Sequence, residues 1–187
     1  MSDTLHVLGI SGSLRKGSYN TALLKVAQKS LPEGMTLELY DLSPIPLYNG
    51  DVEAAGFPEA VQHFKSRIAA ADALLIATPE YNYSVSGVLK NAIDWASRPS
   101  KTSPLNGKPL AIMGAGSRGG TSRAQYHLRQ IAVFTNMFPI NKPEVMVQNA
   151  FQKFDANGNL LDEEIRKQVH ELLEALQAWT LRLRSEK

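Results

Sequence analysis

Glycines, hydroxyls and an arginine crowd the segment Gly12-Ser13-Leu14-Arg15-Lys16-Gly17-Ser18-Tyr19-Asn20-Thr21. It follows an apolar run, Leu5-His6-Val7-Leu8-Gly9-Ile10, and leads into a helical pattern from Ala22 to Leu31. A strand that ends in such a loop and then opens a helix gathers backbone N–H groups and the positive end of a helix dipole at one point, which suits an anion. Ser13, Ser18 and Thr21 offer hydroxyl donors, Asn20 an amide donor, and Arg15 a planar, multi-donor cation matched to phosphate oxygens. Capping residues have the same chemistry, so Ser18 or Asn20 can equally be read as the cap of the first helix. The two roles are compatible.

Better-known phosphate motifs fit less well. Gly12 and Gly17 have P-loop spacing, but Ser18 stands where the nucleotide-binding lysine is needed, and a later apolar run ends in Thr78-Pro79 without a magnesium-binding aspartate. A dinucleotide fingerprint needs a third glycine in G-x-G-x-x-G spacing and an acid roughly 20 residues on, which these glycines do not match. A lone phosphate monoester remains.

Two further breaks follow apolar runs, Pro79-Glu80-Tyr81-Asn82-Tyr83-Ser84 and Gly114-Ala115-Gly116-Ser117-Arg118-Gly119-Gly120, so three loops suggest one composite site. Tyr81 and Tyr83 bracket Asn82 where aromatics have no core to fill. Their flat faces suit a planar ring, or they cover the sheet edge or line a subunit interface. Glu80 reads as a solvated loop carboxylate rather than a catalytic base. Gly116 and its neighbours allow close backbone approach to a ligand. Ala115-Gly116-Ser117-Arg118-Gly119 loosely imitates a hydrolase nucleophile elbow, but Ala115 replaces the first glycine. His6, His63, His127 and His170 lie on predicted strands or helices, where a solvated or hydrogen-bonded structural role is expected, and no metal-ligand spacing is present.

The elements that must position these loops alternate along the chain. Strands are expected at Leu5–Ser11, Thr36–Leu39, Ala73–Thr78, Leu110–Ala115 and, more weakly, near Glu144–Val147. Helices are expected at about Asn20–Leu31, Pro58–Ala71, Val88–Ala96 and Thr121–Phe134. A last helix aligns Ile165, Val169, Leu172, Leu173, Leu176, Trp179 and Leu183 on one face. Pro44 to Gly56 reads as a long surface loop and 155–159 as a turn. This predicts an α/β, flavodoxin-like, doubly wound sheet of five parallel strands, order 2-1-3-4-5, with helices on both faces. In that order strands one, three and four are neighbours, and theirs are the loops that carry the chemistry.

The 187 residues suit one domain, 1–187, and 43% hydrophobic with 20% charged residues excludes wholesale disorder. A net charge of +2 with scattered Lys and Arg argues against nucleic acid, and no apolar run approaches the roughly 20 residues of a membrane span. A cytoplasmic protein is expected. There is no cysteine, which removes disulfides, thiolate catalysis and iron–sulfur clusters. Redox chemistry would need an organic cofactor.

Taken together, Gly12 to Asn20, Pro79-Glu80-Tyr81-Asn82-Tyr83-Ser84 and Gly87-Val88-Leu89-Lys90-Asn91-Ala92-Ile93-Asp94-Trp95 resemble the NADPH-dependent FMN reductase family, above all its bacterial quinone and chromate reductases. The resemblance extends from the first strand to beyond the third loop. It implies a flavodoxin-like fold, bound FMN, NADPH or NADH as electron donor, and small-molecule acceptors such as quinones, azo compounds, chromate and free flavin. Carried over by position, it implies that Ser13, Arg15, Ser18 and Asn20 hold the FMN phosphate. Pro79, Glu80, Tyr81, Asn82 and Tyr83 would surround the isoalloxazine ring, with Gly116 and Ser117 on its other side. The flavin would carry the chemistry with no catalytic side chain, taking hydride and giving two electrons in ping-pong turnover. A non-enzymatic electron carrier of the flavodoxin kind is the alternative, since fold alone does not fix function. Relatives often pair through the third predicted helix, where Val88, Leu89, Ala92, Ile93 and Trp95 have enough apolar surface for core and partner, so a homodimer or homotetramer is expected. Lys16, Arg118 and Arg123 are candidate partners of a 2′-phosphate, or solvated charges.

Overall fold

Continuous apolar runs form the centre of the sheet, and an alternating run forms its edge. In the computed structural model, which describes residues 4–185, strands β1 (Leu5–Ser11), β3 (Ala73–Ala77) and β4 (Pro109–Ala115) are buried almost throughout. Both their faces are covered, as parallel strands require. β2 (Met35–Tyr40) alternates between buried and open positions because it lies at the edge. All pairings are parallel, in the order β2-β1-β3-β4.

The fifth position holds two short strands where one was expected. β5 (Phe138–Pro139) pairs with Pro109 and Leu110 at the start of β4, and β6 (Val145–Val147) pairs with Met113 to Ala115 at its end. Counted by position, the five-place order 2-1-3-4-5 is the one observed.

Helices cover both faces. α1 (Tyr19–Lys29) and α7 (Glu163–Ser185) pack Leu23, Leu24, Leu172, Leu173 and Leu176 on one side. On the other, α3 (Glu59–Ala70), α4 (Gly87–Ala96) and α5 (Ser122–Thr135) pack Phe64, Ile68, Leu89, Ile93 and Leu128. Each such leucine contributes about 1.5–3 kcal/mol by leaving water.

Two short helices were not expected. α2 (Gly50–Ala55) lies within the segment read as a surface loop, has no buried residue, and is capped by the Asn49 side chain accepting from the Asp51 N–H. α6 (Ala150–Lys153) follows β6 directly. Neither has an apolar period to betray it. In α4, Leu89, Ala92, Ile93 and Trp95 are all buried within the chain, so only Val88 among the residues assigned a shared role stays partly open. The Trp95 Nε1–H also donates to the Pro46 carbonyl, 2.9 Å away.

Candidate functional site

The loops after β1, β3 and β4 emerge side by side at the carboxyl edge of the sheet. Backbone bonds lock their starts: the Gly12 N–H donates to Ala77 O, the Thr78 N–H to Met113 O, and the Gly116 N–H to Val147 O. At Gly12 the approach is so close that a Cβ would lie 2.9 Å from Pro79 Cδ, which explains the glycine there.

In the first loop Ser18 is the cap of α1, its Oγ accepting from the Thr21 N–H at 3.3 Å. The backbone N–H groups of Tyr19 and Asn20, first in the helix, have no acceptor among the described residues. They point a pair of donors and the helix dipole at the loop. Ser13 and Arg15 line the same hollow as Tyr19 and Asn20. The exposed Arg15 guanidinium lies 5.4 Å from the Tyr19 ring centroid and has no carboxylate partner among the described residues. The Thr21 hydroxyl donates instead to Ser11 Oγ at 2.9 Å, which turns it inward, away from the role of anion donor.

Asn20 ties two loops together. Its buried amide donates to Ala115 O at 3.0 Å and accepts from the Ala115 N–H at 2.9 Å. The side chain expected among the phosphate donors thus spends its carbonyl, and one of its two N–H groups, on the base of the third loop.

The second loop makes a tight turn. Tyr81 and Ser84 exchange backbone hydrogen bonds at 3.0 Å in both directions, and Asn82 and Tyr83 between them have φ of 50° and 64°. Pro79 is buried at its start, while Tyr81 and Tyr83 are 53% and 66% exposed, so neither fills a core. Glu80 is not a solvated carboxylate: its Oε2 accepts from the N–H groups of Arg123 and Ala124 at 2.9 and 3.2 Å, and its Oε1 from Arg123 Nη1 at 3.0 Å. It therefore caps α5 from another segment of the chain. Arg123 in turn stacks on Tyr83, 3.9 Å from the ring centroid.

Gly116 and Ser117 complete the wall. A Cβ on Gly116 would lie 2.2 Å from Gly120 O, and the Ala150 and Asn149 N–H groups donate back to Gly116 O and Ser117 O. This brings α6, and with it Phe151, to the site. Ser13, Arg15, Ser18, Asn20, Pro79, Glu80, Tyr81, Gly116 and Ser117, with Tyr19 and Phe151, line one hollow of about 350 Å³. Asn82 and Tyr83 lie outside its lining. Phe151, 63% exposed, was not foreseen, because only the β6–α6 connection brings it near.

Elsewhere, each histidine has a partner. Nδ1 of His6, His63 and His127 lies 2.8, 3.0 and 2.9 Å from Thr36 Oγ1, the Tyr40 hydroxyl and Ser84 Oγ, and His170 Nδ1 donates to Ser30 O at 2.7 Å. Among the described residues no cluster of three or more His, Asp or Glu is placed to hold a metal, and no helix is long and apolar enough to cross a membrane. Of the three suggested 2′-phosphate partners, Lys16 and Arg118 are exposed, and Arg123 is engaged with Glu80 and Tyr83.

Residues 5–152 match the family model described as NADPH-dependent FMN reductase. The chain is 61% identical over 185 residues to an NAD(P)H-dependent FMN reductase of Pseudomonas aeruginosa, spanning 98% of this chain and 100% of that protein. It is 49% identical to an NADPH:quinone oxidoreductase of Arabidopsis thaliana, over 96% and 93% of the two chains. Among solved structures, the flavoenzyme NAD(P)H:(acceptor) oxidoreductase of Paracoccus denitrificans superimposes with a TM-score of 0.84 at 35% identity, covering 95% of this chain and 98% of that one.

Proposed function

The chain belongs to the NADPH-dependent FMN reductase family, and on that premise we propose that it is an FMN-dependent enzyme that takes electrons from NADPH or NADH and delivers them to quinones. The observation that carries this reading is the single hollow shared by the helix N-terminus, Arg15 and the tyrosine and glycine loops. One end offers what a phosphate monoester needs: N–H groups of Tyr19 and Asn20 without an acceptor among the described residues, the hydroxyls of Ser13 and Ser18, and an Arg15 guanidinium with no carboxylate partner among the described residues. The other offers flat aromatic faces and close-packed backbone, which suit a planar ring. The donor set and the shape fit FMN.

When bound, FMN supplies the chemistry, taking hydride from the nicotinamide and releasing two electrons to the acceptor. The chain's own part is to bind and orient. Arg15, Ser13 and Ser18 would hold the phosphate, with the Asn20 backbone beside them and its side chain fixing the third loop. Pro79, Glu80 and Tyr81 would flank the ring on one side, with Asn82 and Tyr83 shaping the turn behind them, and Gly116 and Ser117 on the other. Glu80 serves through α5, since its carboxylate is occupied there. Backbone N–H groups near the ring would favour negative charge on it.

The rim residues Tyr81 and Phe151 are more than half exposed, which supports an open approach used in turn by nicotinamide and acceptor, hence ping-pong kinetics. An open approach also makes few demands on the acceptor, so chromate, azo compounds and free flavin belong to the proposed range. The same reading proposes one domain over 1–187, a cytoplasmic location and a homodimer or homotetramer. Beside the partly open Val88 of α4, the exposed Val133 and Phe134 on α5 are among the apolar side chains available to a second copy.

The test is direct. Purified protein incubated with FMN and freed of unbound flavin should stay yellow, and should oxidise NADPH steadily when a benzoquinone is supplied, with parallel double-reciprocal lines. Protein that is colourless once unbound FMN has been removed would sink the reading, and protein that retains FMN without NADPH oxidation would be a carrier.

A further inference from the structure

Tyr83 sits in a backbone conformation that aromatic residues rarely adopt, and its ring lies against Arg123 of α5. With Asn82 and Tyr83 both at positive φ and paired bonds between Tyr81 and Ser84, the turn has the form usually built with glycine at its second central position. A tyrosine there carries strain that its surroundings must offset. Those surroundings are not core, since Tyr81 and Tyr83 are largely exposed. They are Arg123 and His127, one helical turn apart on α5. Arg123 covers one face of the Tyr83 ring at 3.9 Å and binds Glu80 at 3.0 Å, and His127 Nδ1 meets Ser84 Oγ at 2.9 Å.

We propose that Arg123 is a positioning residue: by stacking on Tyr83 and pairing with Glu80 at once, its planar guanidinium fixes the Tyr81–Ser84 turn against α5 and so sets the wall of the FMN pocket. This rests on the FMN reading above. A planar fork can present a face to the ring and an edge to the carboxylate together, whereas an ammonium group is a point charge that cannot. The Arg123 side chain is half exposed, while the Glu80 carboxylate it pairs with is only 11% exposed, so its loss falls first on Glu80 and the turn.

The experiment compares wild type, Arg123→Ala and Arg123→Lys in three measurements. These are amide hydrogen exchange of the apoprotein, FMN affinity with the visible spectrum of the complex, and the urea midpoint. Arg123→Ala should speed exchange at the Tyr81 and Ser84 N–H groups but not in β3. It should also weaken FMN binding roughly three- to tenfold with a shifted flavin band, more than the modest fall in midpoint from a Glu80 carboxylate that has lost its cation accounts for. Arg123→Lys should resemble Arg123→Ala. Unchanged exchange at the turn overturns the clamp, as does a fall in affinity that only follows a fall in midpoint. A lysine variant that restores both exchange and affinity overturns the assignment to the planar group. Wild-type protein that binds no FMN removes the pocket role through failure of the FMN reading, and the exchange data then identify which of the two failed.

Discussion

Asn20 and Ala115 stand 95 residues apart and exchange two hydrogen bonds, the Asn20 amide donating to the Ala115 carbonyl at 3.0 Å and receiving its N–H at 2.9 Å. The start of α1 and the end of β4 are thereby pinned across the carboxyl edge of the sheet. Only a primary amide has the donor and the acceptor that this ring requires. Asn20→Asp should lose the donor and set a carboxylate against the Ala115 carbonyl in a site with little access to water. A loss of about 2–4 kcal/mol in unfolding free energy is expected, measured by urea titration near neutral pH. The same variant should bind FMN less tightly than its stability alone explains, since two walls of the pocket are tied by this pair. An unchanged urea midpoint would show that the two loops do not depend on the bond.

Arg15 is the opposite case, a cation with no carboxylate partner among the described residues and no part in the core. Arg15→Ala should leave the urea midpoint where it is and weaken FMN binding about five- to twentyfold, the range for a charge-assisted bond that is partly open to solvent. Raising the salt should narrow the difference, because the guanidinium is exposed. Equal affinities for the two proteins in a fluorescence titration at low salt would remove Arg15 from the phosphate site.

How much of this was legible before the structure depended on whether the signal was local. The apolar runs of β1, β3 and β4 and the helical periods of α1 and α5 are local, and they place the three loops. The first-loop donors are legible for the same reason, since a helix start draws Ser18 as its cap whether or not an anion binds. What was missed depends on contacts between distant segments. Glu80 looks like any loop acid until α5 is brought to it, and the Asn20 amide looks free until β4 lies alongside. Phe151 is hidden by its helix of four residues, too short for a period. The split of the fifth strand is hidden by the two-residue length of β5.

Two glycines of the loops should behave in contrasting ways. A Cβ at Gly114 would lie 2.0 Å from Thr121 Oγ1 and 2.5 Å from Thr78 O, and the second of these is backbone that cannot swing aside. Gly114→Ala should cost about 3 kcal/mol or more and reduce soluble yield. At Gly17 a Cβ would meet nothing within 4 Å. Gly17→Ala should keep unfolding free energy within about 1 kcal/mol of wild type, through the reduced freedom of the unfolded chain. Gly17 lies outside the lining of the hollow, so the added methyl group should leave FMN affinity unchanged. Equilibrium unfolding and FMN titration on the same preparations separate the effects, and a Gly17→Ala protein that loses FMN severalfold would place the phosphate outside the hollow, against Gly17.

Acid should loosen the long helix that covers one face of the sheet. Asp162 precedes α7, where its Oδ2 accepts from Lys153 Nζ at 2.6 Å and its Oδ1 from the Ile165 N–H at 3.1 Å. The Lys153 hydrogen bond first, and the Ile165 N–H second, hold this carboxyl below its ordinary value of 3.8. Because the folded value is the lower one, the contribution of the ionised group is complete above about pH 4 and is lost as the pH falls through the folded value. Asp162→Asn keeps an oxygen to cap the helix but gives up the charge. Its urea midpoint should therefore lie below that of wild type near pH 7, and the gap should close on acidification past pH 4, where wild type loses the same charge. The measurement is a pair of urea titrations for each protein, one near pH 7 and one near pH 3. A gap that stays constant between them would assign the loss to the altered cap rather than to the ion pair with Lys153.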